Sequence, residues 1–305
     1  MALPRTNPSL RRWAAVATAA LLLGCGKDKG DADVAAAAPP PPPPPPPSAL
    51  MAMADGGGGA ADPEQPTPGF VRVPDAQTLR GSPPAEAGRS EDELQHRVTV
   101  RRPFEMAATE VTIEDYAALV GSKPAARQGC DRCPVDSVSW FEAAHFCNEL
   151  SKRRGLPTCY VIGDKRVDWV GGVDCRGFRL PTEAEWEHAA RGGVAAARYG
   201  EVDAVAWIDT NSDLHSHEVG KKQPNAYGLY DMLGNVAEWV WDWQAPYPKD
   251  GGVDPIGPSE GQNRVFRGGA YRWTADEARA AFRNAYGPLN KVEWIGFRCV
   301  RTLSR

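Results

Sequence analysis

Beyond its N-terminus the sequence has no long basic run, and its formal net charge is −4, with 35 lysines and arginines against 39 acids. That balance excludes the electrostatic footprint of a nucleic-acid-binding protein. There is no second C-x-x-C and no H-x-x-x-H, so Cys130-x-x-Cys133 lacks the further ligands of a zinc site. No Ser/His/Asp arrangement, phosphate-cradling glycine loop or internal repeat stands out. Above all, no cysteine lies between Cys175 and Cys299.

What is present divides the 305 residues into an address, a spacer and a domain. Arg5, Arg11 and Arg12 precede an apolar run from Trp13 to Leu23. The run is the length of a signal h-region and short of the roughly 20 residues that span a bilayer. It ends Leu22-Leu23-Gly24-Cys25, which resembles a bacterial lipobox. Residues 1–24 are expected to be a signal peptide and Cys25 the lipidated N-terminus. The expected location is the cell envelope, on the periplasmic face or the outer membrane, with the lipid in the membrane. Residues 25–68 follow as an Ala/Pro/Gly-rich linker, including the unbroken prolines Pro39 to Pro47 and glycines Gly56 to Gly59. Such composition has too few large apolar groups to offset the entropy of ordering, and the proline run should be a polyproline II spacer.

Six cysteines remain: Cys130, Cys133, Cys147, Cys159, Cys175 and Cys299. An even number in an exported chain points to disulfides, with 15 possible connectivities. For Cys130 and Cys133, Gly129 and Pro134 favour a loop, hence a structural bond over a helix-opening redox pair. The ten tryptophans read first as core rings with satisfied N–H groups, and secondarily as sugar-stacking faces.

The domain is expected over 69–305. Phe70 to Val73 and His96 to Val100 alternate like strands, and Phe104 to Met106 continues the second. Thr112 caps a helix over Ile113 to Val120, and Ser139 opens a second that Gly155 ends. Val161 and Val167 to Trp169 suggest a hairpin. Thr182 and Glu185 form a capping box for a third helix. Beyond Gly192 the signals thin, with short strands expected at Val265 to Arg267 and Phe297 to Val300. Few helices and scattered short strands predict a mixed α+β domain.

Several segments together resemble the formylglycine-generating enzyme, or sulfatase-modifying factor, family. They are Glu110-Val111-Thr112, Pro134-Val135-x-x-Val138-Ser139-Trp140, and Phe178 through Glu187 (FRLPTEAEWE). Asn225 through Trp239 (NAYGLYDMLGNVAEW), Arg267-Gly268-Gly269-Ala270-Tyr271 and Gly296-Phe297-Arg298-Cys299 complete the set. The resemblance covers roughly 69–305. It implies a variant of the C-type lectin fold, loop-rich and disulfide-linked. The wider superfamily includes ergothioneine-pathway sulfoxide synthases and a pyoverdine-maturation protein. It further implies a disulfide between Cys147 and Cys299, leaving Cys159 and Cys175 to bracket the hairpin. A link across that 16-residue step would contribute about 3 kcal/mol.

By the same resemblance Asp231, Gly234, Val236 and Glu238 match a calcium site, with two carboxylates and backbone carbonyls for a hard cation. Family enzymes oxidise a substrate cysteine with copper held by two thiolates just after Arg-Gly-Gly-x-Tyr. The corresponding positions here are approximately Ala275 and Ala280, so copper is not expected. His215-Ser216-His217-Glu218 could place two imidazoles on one face, but the sulfoxide synthases' helical domain is missing and solvated histidines are the expectation. His96, His145 and His188 are isolated. Two readings remain: a non-catalytic binding or scaffolding domain with a protein or glycan ligand, or an oxidase or non-haem iron oxygenase with a divergent metal centre.

Overall fold

The computed structural model describes residues 66–124, 129–164 and 166–304. The expected signal peptide, Cys25 and nearly all of the expected linker lie outside the described residues. Thr67 is already anchored, its N–H and hydroxyl both donating to the carboxylate of Glu105 at 3.0 and 2.6 Å.

Three helices stand where their caps are. The first, Ile113–Val120, starts at Thr112, whose hydroxyl accepts the Asp115 N–H, and stops at a left-handed Gly121. The second, Trp140–Arg153, opens with a capping box between Ser139 and Glu142, an arrangement that stabilises by about 1 kcal/mol. The third, Glu183–Arg191, has the expected Thr182–Glu185 box and ends at left-handed Gly192.

The first two helices pack on each other, with Tyr116 stacked on Phe146 at 5.5 Å, and two four-stranded sheets complete the frame. One has the order Phe70–Val73, Phe104–Ala107, Val300–Thr302, Phe178–Arg179, antiparallel throughout. The other has the order Arg283–Tyr286, Arg264–Arg267, Ala237–Trp243, Ile295–Gly296, with its last pair parallel. A three-stranded sheet joins Gly252–Val253, His96–Val100 and Ala76–Arg80. The hairpin pairs Tyr160–Ile162 with Val167–Trp169, as expected.

The strand Ala237–Trp243 organises the core. Side chains alternate across a strand, so Ala237, Trp239 and Trp241 pack with the second helix, while Val240 packs with Trp186 of the third. The three fully buried indoles each donate to a carbonyl or carboxylate: Trp239 to Val138 O at 3.0 Å, Trp140 to Val240 O at 2.8 Å, Trp186 to Glu238 Oε2 at 2.7 Å. The register shifts between Trp239 and Trp243 opposite Arg264–Arg267.

The last expected strand is corrected. Pairing runs over Ile295–Gly296 and Val300–Thr302, and Phe297 to Cys299 belongs to neither. Two backbone bonds, Val111 N to Phe297 O at 3.0 Å and Ala107 N to Cys299 O at 2.9 Å, carry the chain across the gap. The break lets Arg298 turn fully into the interior.

Candidate functional site

The loop after Arg267-Gly268-Gly269 is held from below. Gly268 and Gly269 have φ of +96° and +76°, and a Cβ on Gly268 would sit 3.0 Å from Met232 O and 3.2 Å from the Trp186 ring. Glycine is required there by both the backbone and the space. Arg267 donates to Glu183 at 2.9 Å, to Glu187 at 2.6 Å and to Ala280 O at 2.6 Å. From the far side Arg198 donates to the carbonyls of Ala278 and Ala275.

Glu183 is the centre of this base. Its carboxylate takes Arg80 at 2.5 Å, Arg267 at 2.9 Å, Arg283 at 2.8 Å and the Tyr247 hydroxyl at 2.8 Å. Burial alone would raise this carboxyl; Arg283, Arg80 and Arg267 instead hold it well below the usual carboxylate range. Asp242 lies beside it, with one oxygen accepting the Glu183 N–H at 2.8 Å and the other unpaired. Burial and the Glu183 charge push Asp242 up to about 7.

The segment itself contains no thiol. Ala275 packs against the cluster of Val205, Ile208 and Leu233, whereas Ala280 is buried in that of Trp186, Leu229 and Val265. The two positions named from the sequence for the lost cysteine pair therefore belong to separate clusters. The loop instead presents aromatic rings. Trp273 and Trp294 are half-buried with centroids 4.7 Å apart; Phe266 and Phe282 pack against them at 5.5 and 5.7 Å.

The four expected calcium ligands are only partly available. Both Glu238 oxygens are taken by Arg298, at 2.6 to 2.9 Å, and one also by Trp186. Asp231 keeps one buried oxygen without a donor, the other accepting the Gly220 N–H at 2.6 Å. Gly234, at φ +73°, brings its chain against Trp207 O, 2.2 Å from where a Cβ would stand. Glu110, absent from the expected set, is fully buried with both oxygens unpaired. Burial, then the Asp231 charge, raise Glu110 well above the carboxylate range, while burial pushes Asp231 up to about 6. A proton kept on Glu110 can be shared with Asp231. The orphaned oxygens of Asp231 and Glu110 suit a hard cation; Glu238 does not while Arg298 holds it. Among the described residues no group of three His, Cys, Asp or Glu side chains is placed to hold a metal.

Cys130–Cys133 and Cys159–Cys175 are bonded, with Cα atoms 5.4 and 5.7 Å apart. The expected Cys147–Cys299 bond is corrected: both are free thiols, buried, with sulfurs 3.3 Å apart. That is the distance of a thiol contact and well beyond the roughly 2.05 Å of a bond. Burial, then Cys147, raise the Cys299 thiol well above its usual range.

His215 and His217 do meet, at 4.6 Å between centroids, but His217 stacks on Trp207 at 3.8 Å and its Nε2 lies 2.8 Å from Ser212 O. His188 is buried against Pro74 O at 2.9 Å.

Residues 59–303 match the family described as sulfatase-modifying factor enzyme 1-like domain. A formylglycine-generating enzyme of Streptomyces coelicolor is 31% identical over 279 residues, covering 76% of this chain and 89% of that one. A protein of Paenibacillus barcinonensis described as chaperone protein LppX is 28% identical over 235 residues, covering 65% and 80%. Among solved structures, Treponema denticola variable protein 1 superposes with a TM-score of 0.69 at 31% identity, covering 76% of this chain and 94% of that one.

Proposed function

The chain belongs to the sulfatase-modifying factor family, and we propose that within it the chain is a binding or scaffolding domain, not a copper oxidase. One observation carries this reading. Where family enzymes place their thiolates, the segment after Arg267-Gly268-Gly269 turns Trp273 toward Trp294 and offers no sulfur. The two free thiols, Cys147 and Cys299, lie outside this segment and are fully buried. Soft thiolates select Cu(I), and alanine supplies no ligand in their place. The LppX relative, described as a chaperone, supports a family member that acts by binding.

The experiment is direct. The protein, loaded with copper under air, is incubated with a sulfatase-type Cys-x-Pro-x-Arg peptide and an aldehyde-reactive probe, with a mass readout. No aldehyde above a no-protein control is expected. Turnover would return the protein to the oxidases, with a rearranged centre.

Two further parts of the proposal concern attachment and calcium. Cys25 is the lipid anchor at the cell envelope, so a labelled fatty acid should mark the wild type and not Cys25→Ser. A structural calcium ion is held through Asp231, whose orphaned oxygen supports it, and would tie the 231–238 loop to the core.

A further inference from the structure

Residues 255–262 run between two firm anchors. At the first, the Asp254 N–H donates to Thr99 O at 2.7 Å and the Asp254 carboxylate accepts the Arg101 N–H at 2.8 Å. At the second, the Gln244 N–H donates to Asn263 O at 2.9 Å. The eight residues between make no hydrogen bond, and residues 256–262 are all exposed. A segment held this lightly opens at low free energy compared with the core.

Two glycines seat the segment on the strand Ala237–Trp243. A Cβ on Gly261 would stand 2.8 Å from the Trp243 Cβ. One on Gly257, at φ +72°, would stand 3.0 Å from the Asp242 Cβ and 3.1 Å from its Oδ1. That oxygen is the one without a hydrogen-bond partner, and Asp242 is 1% exposed. The same segment walls a cleft of about 660 Å³, lined by Trp169, Trp241 and Trp243 and by its own Ile256, Pro258 and Gly261. Lifting the segment would open the cleft.

Four charged groups act on Asp242: Glu183 from the third helix, Arg80 from the strand Ala76–Arg80, Arg283 from the strand Arg283–Tyr286 and Arg264 from the strand Arg264–Arg267. The segment's own acids are Glu260, at the exposed rim, and at its anchor Asp254, held by Arg101. Burial, then the Glu183 charge, outweigh the arginines and push the Asp242 carboxyl up to about 7. Neutral, the carboxyl stays under Gly257 at little cost. Ionised, its orphaned oxygen demands a donor that the closed arrangement does not supply, and water reaches it only when the segment lifts.

We propose that residues 255–262 are a lid on this cleft and that Asp242 is its latch, closed while the carboxyl is protonated and released when it ionises. The closed form holds the proton more tightly than the open one. The ratio of open to closed therefore climbs by up to about tenfold per pH unit once the pH passes the closed form's titration. This regulation goes beyond the binding-domain reading and would stand if the chain proved to be an oxidase.

The test places a bimane label on Ser259→Cys in the full chain, in a Cys25→Ser background where the other thiols are buried or bonded. Tryptophan quenches bimane on contact, so a closed lid is dim and an open one bright. Emission should rise at least about twofold between pH 6 and 8. Asp242→Asn, which keeps an acceptor but cannot ionise, should stay dim throughout. Gly257→Ala forces a Cβ against Asp242 and should be bright at both pH values, which reads the latch even if the Asp242 variant fails to fold. Each variant is checked for native circular dichroism. Emission independent of pH in the unsubstituted lid, the same rise in Asp242→Asn, or a folded Gly257→Ala that stays dim at pH 6 would overturn the proposal.

Discussion

Arg298 closes on Glu238 through two of its three donor nitrogens, Nη2 at 2.6 Å and Nε at 2.9 Å from the same oxygen, with neither residue more than 1% exposed. The guanidinium also donates to the carbonyls of Ala107 and Tyr230. One side chain thus ties the first sheet, the 225–238 segment and the C-terminal strand. Removing one partner of a buried pair strands the other's charge, which costs about 3–5 kcal/mol. Arg298→Ala should therefore unfold at a much lower denaturant midpoint than wild type. A loss below about 1 kcal/mol would mean that water or a neighbour can replace the pair.

The pH dependence of stability should reveal Asp242. Its carboxyl titrates near 7 in the fold against an ordinary 3.8. A raised folded value means that the folded state holds a proton the unfolded state has released. The stabilisation from this group is complete below about pH 4 and is lost as pH rises through 7. Glu183 and Glu187 shift the other way, but both are ionised in folded and unfolded chains above about pH 6. Melting temperature should fall between pH 6 and 8, and Asp242→Asn should flatten that fall while keeping an acceptor for the Glu183 N–H. A variant with the wild-type slope would assign the titration elsewhere.

Calcium and Asp231 make a second, opposing pH effect. Burial pushes Asp231 up to about 6, so the metal-free fold is favoured by acid and an ion by alkali. Chelation at pH 8 should lower the wild-type melting temperature by several degrees and leave Asp231→Ala nearly unmoved. Glu110→Gln removes an orphaned acid beside it and should weaken the response. A wild type indifferent to chelation would leave Glu110 and Asp231 as a proton-sharing pair.

Thiol counting tests the cysteines. Cys147 and Cys299 are buried, and the Cys299 thiol is raised, so the native protein should resist alkylation. After denaturation without reductant two cysteines of the domain should react, and peptide mapping should recover Cys130–Cys133 and Cys159–Cys175 as bonded. Blocked Cys147 and Cys299 would show that the contact had been oxidised to a bond.

Local signals carried much of this architecture, and long-range ones were absent. Thr112, Ser139 and Thr182 announced three helices because a cap is decided within four residues. The strand Ala237–Trp243 gave no such sign. Buried between two clusters, it is wholly apolar on one face and sets Val240 between the buried acids Glu238 and Asp242 on the other, so the clean alternation that marks a half-exposed strand is missing. Glu183 looked like an ordinary first-turn acid; its arginines lie 84 and 100 residues away in one direction and near the domain's start in the other. Glu110 was visible only as part of a motif. Cys147 and Cys299 were brought together by the family resemblance, as the fold brings them, but the resemblance could not fix their oxidation state.

The convergence on Glu183 also constrains how the chain comes into being. Arg80 emerges early in synthesis, Arg267 and Arg283 almost at its end. Until those last residues appear, a growing chain that buried Glu183 would bury it short of its partners, at a cost that disfavours closure. The domain is thus held back from premature assembly by its own electrostatics, and a ribosome stalled before Arg267 would release a fragment with no stable fold to linger in.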